Sequence, residues 1–383
     1  MDARKLGLAA LSAAMGACAQ AQVPDLVSAL DAGGRAMGMG GSIYTAGADT
    51  FSSYNNPAGL GYVTDATLGL SLRNLPESDT TVTTDFRTPQ TETTYRSGSR
   101  AITHVGIAYP FKGRNGRTNG TLGIAYTTGG YIRDFRSGTD LRDGDLVVKD
   151  YAELNRVKSD FYTVSYGSAG STFSWGLGVV MTTTNVENRM FYNIFDADNQ
   201  NRGFVDTDNR DTANGVGGIV GIQFVPQGGN MSLGFSYRTP IELNGNDSTS
   251  GYYDKIPGRL SGGLAYRTGG LRGGKDFVIF GLQADGYIQG NKDSVLTRKD
   301  QWVIGGGMEY NWNYGNALIP IRFGFNAIPN GGDGLFRDRN TFTFGIGYRP
   351  FGSTVGVDFN FASSGEGGGM DMAVGLTYRF AGK

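Results

Sequence analysis

The strongest constraint on this chain is an alternation near its C-terminus. Met370, Met372, Val374, Leu376, Tyr378 and Phe380 are large and apolar, and Asp371, Ala373, Gly375, Thr377 and Arg379 fall between them. Phe342, Phe344, Ile346 and Tyr348 alternate with Thr343, Gly345, Gly347 and Arg349. Val355, Val357, Phe359 and Phe361 alternate with Gly356, Asp358 and Asn360. Leu68, Leu70 and Leu72 repeat the pattern against Gly69, Ser71 and Arg73. A period of two puts each apolar set on one face of a strand. Strands of about ten residues with one greasy face suit a wall between hydrocarbon and water. Open edges cannot exist in lipid, so a run of such strands must close into a ring.

Counting these segments predicts an all-β transmembrane antiparallel β-barrel of about fourteen strands, an even number as bacterial barrels require. The expected strands lie near 64–73, 101–111, 117–132, 158–168, 171–187, 212–225, 229–241, 257–268, 275–288, 299–313, 316–328, 340–350, 352–363 and 370–380. After even strands come tight turns such as Gly167-Ser168-Ala169-Gly170, Pro226-Gln227-Gly228-Gly229 and Phe351-Gly352-Ser353. After odd strands come long polar connections, 74–100, 133–157, 188–211 and 244–256. Short turns on one side and long loops on the other are the periplasmic and extracellular ends of an outer-membrane barrel, with both termini periplasmic. A secreted β-sandwich gives no reason for that strict alternation. The periplasmic ends also gather aromatics read as outward-facing: Tyr109, Phe111, Tyr166, Phe224, Tyr266, Tyr310, Tyr348, Tyr378 and Phe380, with Phe173, Trp175 and Phe277 opening odd strands. Rings at headgroup depth make such a girdle. They also imply contact with outer-membrane lipid.

Composition agrees. Only 18% of the 383 residues are charged and 63 are Gly, respectively below and well above the usual shares. A formal net charge of -1 gives nucleic acid nothing to bind. The N-terminus reads as a signal peptide over 1–21. Arg4 and Lys5 give a basic start, Leu6 to Ala17 an apolar stretch, and Ala19-Gln20-Ala21 a small-x-small cleavage site. The mature chain then begins at Gln22 and loses Cys18, the single cysteine. An acylated Cys18 is the competing reading, and Met15-Gly16-Ala17 is a poor lipobox for it.

Residues 22–63 do not alternate. Gly33 to Gly61 is too rich in glycine for a stable helix and lacks the period of a strand. Asn55-Asn56-Pro57 reads as a turn. This segment is expected to plug the lumen, and the barrel, 64–380, to surround it. The run Gly34-Arg35-Ala36-Met37-Gly38-Met39-Gly40-Gly41, then Ala48-Asp49, then Tyr54-Asn55-Asn56-Pro57-Ala58-Gly59-Leu60, resembles the N-terminal hatch of the FadL/TodX family of outer-membrane transport proteins. The likeness returns at Phe235 to Ile241, at Ile256 to Leu260 and from Trp302 to Phe380. The resemblance implies a fourteen-stranded barrel that takes up hydrophobic molecules passively, such as long-chain fatty acids or hydrocarbons, in part through a lateral opening in its wall. Gly34, Arg35, Gly38, Gly40, Gly41, Asn56, Pro57 and Ala58 are the expected hatch and gating residues. Relatives of the PorV type share the hatch, so an outer-membrane component that binds exported proteins during secretion is the alternative. A closing strand that ends near Phe380 resembles the signal read by barrel-insertion machinery, and the expected state is a monomer.

Catalysis finds little support. The sole histidine, His104, is out of phase with Val105, Ile107 and Tyr109, so it should face the lumen. One histidine excludes multi-His metal sites, and no Gly-x-Ser-x-Gly elbow sits in a strand-to-helix context. No enzyme activity, cofactor or metal is expected. Asp196, Asp198, Asp206, Asp208 and Asp211 crowd one loop with hard oxygens, leaving open a calcium reading beside that of a hydrated acidic loop. Arg73, Arg238, Arg267, Arg322, Arg349 and Arg379, with Glu309, Asp358 and Asp371, fall in the inward phase. They suit anchoring of the plug, or a carboxylate headgroup. A ligand-binding lumen is therefore assigned to Met37, Met39, Phe51, Arg238 and Arg322, with Ile43 and Tyr44 as further soft lining. Intact-mass measurement of the purified protein is expected to give a chain beginning at Gln22; a lipid-modified mass starting at Cys18 overturns this reading.

Overall fold

The computed structural model describes residues 34–42, 46–84, 91–113, 118–138, 141–143, 146–245, 255–290, 300–328, 339–364 and 370–380. The signal peptide, the segment 22–33, Ile43, Tyr44 and the last three residues lie outside them. Among the described residues two short helices come first, α1 (Gly34–Gly38) and α2 (Ser52–Asn55), followed by a 3-10 turn (Pro57–Tyr62). The strands are β1 (Thr67–Thr84), β2 (Thr91–Lys112), β3 (Thr118–Gly138), β4 (Leu141–Asp143), β5 (Leu146–Ala169), β6 (Phe173–Phe195) and β7 (Asn201–Phe224). Then follow β8 (Met231–Arg238), β9 (Ile241–Glu242), β10 (Lys255–Ile256), β11 (Gly258–Leu271), β12 (Asp276–Ile288) and β13 (Gln301–Tyr314). The last are β14 (Ala317–Ile328), β15 (Arg339–Pro350), β16 (Val355–Ser364) and β17 (Met370–Arg379).

Fourteen of these strands, β1–β3, β5–β8 and β11–β17, form one antiparallel ring. The first wall strand pairs with the last, Leu70 opposite Leu376, and β3 pairs with β5, Ile124 opposite Val164. The three remaining strands are short: β4 lies against β5, and β9 pairs with β10. Each wall strand sorts its side chains as the sequence alternates. On β7, Val220, Ile222 and Phe224 are exposed and Ile219, Gly221 and Gln223 are buried. Cross-strand aromatic pairs reinforce the outer face, Phe323 with Phe344 at 5.3 Å and Phe325 with Phe342 at 5.2 Å between ring centres. At the turn end Tyr109 meets Phe111, Tyr166 meets Trp175, and Tyr378 meets Phe380. These are girdle residues that the sequence identified.

Three expectations need correction. The polar stretches 74–100, 133–157 and 188–211 are largely strand, because β1–β3 and β5–β7 run well past the apolar band. Beyond lipid both faces of a strand meet water, so hydrophobic period cannot mark them. They are held instead by backbone ladders and cross-strand charge pairs such as Arg189 with Asp208 and Arg210 with Glu187. Phe277 is not in the outward phase of β12: Phe280 and Leu282 face out, and Phe277 lies one residue out of step, under the Arg267 guanidinium at 3.9 Å. Finally, the glycine-rich segment forms helical turns, because the wall around it supplies the contacts that its sequence lacks.

Leu282 is 59% exposed at the middle of the outward face of β12. Leu282→Arg is expected to lower barrel stability by about 2–4 kcal/mol, the cost of a cation at the bilayer midplane. Guanidinium titration of folding into lipid vesicles checks it, and a change near zero places that face away from lipid.

Candidate functional site

The hatch, residues 34–42 and 46–63 of the described chain, sits inside the ring and touches it through two unlike footings. The second half is built from caps. The Asp49 carboxylate accepts from Phe51 N at 2.9 Å, and Ser52 Oγ accepts from Asp49 N at 3.2 Å, an Asx-type turn just before α2, whose N-cap Phe51 has no side-chain cap of its own. Asn56 is extended (φ -151°, ψ 97°), and its side-chain oxygen accepts from Ala58 N at 3.2 Å. Pro57 follows at the first position of the 3-10 turn, where its missing N–H is not needed. Asn56 therefore caps a turn that Pro57 starts, and its Nδ2 donates to Ile222 O on β7 at 3.2 Å. The Asn-Pro-Ala sequence both shapes the hatch and fastens it to the wall.

A buried irregular backbone must find donors elsewhere. Here the wall supplies them from side chains. Ser165 Oγ donates to Ser53 O (2.8 Å), Ser236 Oγ to Asn55 O (2.6 Å) and an Arg259 guanidinium nitrogen to Tyr54 O (2.9 Å). Gln223 Nε2 and Ser232 Oγ both donate to Ala46 O. Arg238 donates to Tyr54 Oη at 2.9 Å and to Pro257 O at 3.2 Å. The Tyr54 ring lies beside both the Arg238 and the Arg259 guanidinium.

The first half, α1 and the turn after it, rests on charge. Arg35 donates from two nitrogens to the two Glu309 oxygens, each at 2.9 Å. Glu309 also takes Arg322 Nε at 2.7 Å and Asn311 Nδ2 at 3.0 Å. Arg322 pairs with Asp358 at 2.7 Å, and Arg349 approaches the same carboxylate at 3.5 Å. Glu309 and Arg322 are Cα partners on β13 and β14, and both are fully buried. Bidentate, charge-assisted bonds of this kind are strong and directional. Arg238 and Arg322, read as headgroup ligands, are thus engaged by the hatch or by the network beneath it. Met37 and Met39 are fully buried, Met37 against Ala362 and Ala373, Met39 against Ala36 and Val303, with Phe51 alongside. They fill the space between plug and wall.

The wall makes room with glycine. A Cβ at Gly305 or Gly307 would strike the backbone of Gly40 or Met39, and one at Gly324 would strike Gly40. On the other side Gly167 and Gly176 lie against the Pro57 carbonyl, and Gly221 against the Asn56 side chain. Within the hatch, Gly38 abuts Asn360 and Arg322, while Gly40 and Gly41 hold φ of 62° and 77°. These inward wall glycines were missed from the sequence. Their signal was present: glycine in the inward phase of strands whose outward phase is large and apolar. The aspartates of 196–211 do not form a metal site among the described residues. Asp196 binds Arg202 and Gln200 N, and Asp208 binds Arg189 and Arg210.

The β2–β3 ladder has a seam. Below it, β2 and β3 pair from His104 with Thr127 down to Lys112 with Thr118, and above it from Arg96 with Phe135. Among the described residues no pairing joins 97–103 to 128–134. Bulges flank the gap, between Ser71 and Leu72 in the β1 pairing and between Thr128 and Gly130 in the β5 pairing. Such bulges bend a strand and release its neighbour.

No family model and no curated protein sequence matches this chain. Solved structures do. A FadL homologue of Pseudomonas aeruginosa superposes with a TM-score of 0.59 at 14% identity, over 92% of this chain and 98% of that one. The Ralstonia pickettii toluene transporter TbuX gives 0.61 at 14% identity, over 91% and 98%. The monoaromatic hydrocarbon channel CymD gives 0.57 at 13% identity, over 92% and 99%. At these identities the likeness is one of fold: this chain has the fold of the FadL/TodX channels, whose hatch motif its sequence resembles.

Gly307→Ala puts a methyl group into Met39 backbone that has nowhere to go, and is expected to dislodge the first half of the hatch. Planar-bilayer recordings should show larger and noisier conductance than the parent. Gly262→Ala, where a Cβ meets only Phe235 at 3.4 Å, should match the parent. Equal conductance in all three overturns the footing described.

Proposed function

We propose that this chain is an outer-membrane transporter for passive uptake of hydrophobic small molecules, of the long-chain fatty acid or hydrocarbon type. The observation that carries the reading is a folded hatch held inside a fourteen-stranded ring by many small contacts. A ring of this size is too wide for its own side chains to fill, so without the hatch it is an open pore. With it, passage requires the hatch to shift. Its second half is held mainly by single hydrogen bonds, each worth about 1 kcal/mol net, so partial release is within reach of a bound ligand. The transport step needs no covalent chemistry and no energy source.

In this reading the tight-turn end and both termini are periplasmic, and the protein works as a monomer inserted by way of its C-terminal strand. The seam between β2 and β3 is the lateral opening that the family resemblance implies. A greasy molecule entering from the tall extracellular side then meets an unpaired stretch of wall next to the hatch. The FadL homologue, TbuX and CymD support this by fold, and the choice among their substrate classes belongs to experiment.

The test is uptake into proteoliposomes of radiolabelled oleate and of toluene, with the parent and with Asn56-Pro57-Ala58 replaced by Gly-Ser-Gly. Uptake of at least one compound above empty vesicles is expected. The replacement should change it several-fold. No uptake of either compound, together with copurification of exported proteins, overturns the proposal in favour of the secretion partner.

A further inference from the structure

We infer that His104 is a positioning residue that ties the hatch to the β2–β3 seam, so that release of the hatch and loosening of the seam are one movement. This rests on the transport reading for its purpose, though not for its geometry. His104 is the only histidine of the chain and is fully buried. Its Nε2 lies 3.1 Å from Thr50 Oγ1 of the hatch, and its Nδ1 lies 3.0 Å from Thr127 Oγ1 of β3. The Phe51 ring of the hatch stacks on the imidazole, with centroids 3.6 Å apart and planes 21° from parallel. One side chain on β2 therefore holds the hatch with one nitrogen and the neighbouring strand with the other.

The position matters as much as the bonds. His104 with Thr127 is the last backbone pair before the seam. Immediately above, Ser71 faces His104 and Leu72 faces Ile102, which leaves Thr103 as the extra residue of a bulge. On β3, Thr128 faces Asp160 and Gly130 faces Ser159, which leaves Gly129 extra. Side chains replace part of the lost ladder. Thr128 Oγ1 donates to Ile102 O at 3.2 Å, and Thr103 Oγ1 donates to Ser71 O at 3.4 Å. Tyr126 and Lys158 bind the Asp160 carboxylate, and the single Thr128 hydroxyl hydrogen is shared between that carboxylate and Ile102 O; the Asp160 knot itself joins β3 to β5. Among the described residues, the side-chain ties from β2 to β3 at this level are His104–Thr127 and Thr128–Ile102.

A neutral imidazole donates from one nitrogen and accepts at the other, whereas a threonine hydroxyl does either. The chain Thr50–His104–Thr127 is satisfied only while the hatch is home. When Thr50 leaves, a buried ring nitrogen loses its partner and Phe51 no longer covers the ring. The imidazole must then turn to find another partner, and it releases Thr127 as it turns. The seam loses one of its two ties at the moment the hatch departs.

The test uses the full-length protein in lipid nanodiscs, without ligand, and reads hydrogen exchange at the amides of 97–103 and 128–134. His104→Phe keeps the ring stack and removes both hydrogen bonds. It is expected to speed exchange there about tenfold, a change of roughly 1.4 kcal/mol, while amides of β12 and β13 stay as in the parent. Thr50→Val, which alters only the hatch, should act in the same direction. A hatch lock supplies the second arm. A Cβ at Gly69 would lie 3.3 Å from the Thr50 Cβ, close to disulfide spacing, so Thr50→Cys with Gly69→Cys can tether the hatch to β1. Here the disulfide replaces the hydroxyl, and Phe51 remains as the hatch contact on the ring. The tether should slow seam exchange when oxidised and not when reduced, and His104→Ala should abolish that difference. Unchanged seam exchange in both His104→Phe and Thr50→Val overturns the inference, as does a tether effect that survives His104→Ala. Heat-modified gel mobility confirms that each variant is a folded barrel, and a variant that fails it is replaced by His104→Gln. Uptake is measured separately. Intact uptake with an unresponsive seam defeats this inference alone, and absent uptake in the parent defeats the transport reading alone.

Discussion

Every backbone polar group inside a bilayer must find a partner within the protein, and this requirement organises the rest. It forces the ladder round until β3 meets β5 and β1 meets β17. It sets the outward phase to Leu, Ile, Val and aromatic residues. It also explains the treatment of the stretch where the β2–β3 ladder fails. At the β2–β3 seam the Thr128 hydroxyl reaches the Ile102 carbonyl across the gap, and at the adjoining bulge the Thr103 hydroxyl reaches the Ser71 carbonyl of β1. Polar side chains there do for the wall what neighbouring backbone does elsewhere.

The same requirement acts on the hatch. Its irregular chain is buried, so its carbonyls need donors that no regular element provides. Serine, glutamine, asparagine and arginine on the inner face give them one at a time, as at Ala46, Ser53, Asn55 and Gly40. Glycines bring the two backbones close enough for those short side chains to reach. The hatch and the inner wall are thus a matched pair. Neither would be satisfied alone, which is why a segment with no helical sequence signal still forms α1, α2 and a 3-10 turn.

What the sequence revealed follows from this division. Wherever one face of a strand meets lipid, contrast between the faces is large, and residues such as Leu70 and Leu376 announced their strand and phase. Where β5, β6 and β7 rise beyond lipid, Glu187, Arg189, Asp208 and Arg210 gave no contrast, and strand looked like loop. Phe277 misled because an aromatic near a strand start suits both a girdle and a cation-stacked lumen position. His104 was readable as inward from phase alone. Its partners Thr50 and Thr127 were not, since they lie 54 and 23 residues away along the chain. The Arg35–Glu309 pair spans 274 residues, and only the folded ring brings it together.

The two halves of the hatch differ in a way that bears on how it moves. Arg35 is fixed by two charge-assisted bonds to a carboxylate that is itself held by Arg322 and Asn311. Arg35 is itself partly exposed, but pulling it away leaves the buried Glu309 carboxylate with only Arg322 and Asn311 to compensate it. Residues 46–60 are held by single bonds, most of them to backbone carbonyls and two of them from the Arg238 and Arg259 guanidinium groups, and Thr50 and Phe51 meet the wall at His104, beside the seam. In the proposed transport cycle, release is therefore graded: the Thr50 side leaves while Arg35 stays, which tethers the hatch and lets it return. A plug fixed equally at both ends would either seal the ring permanently or fall out of it, and the asymmetry of charge between α1 and the Asn-Pro-Ala turn avoids both.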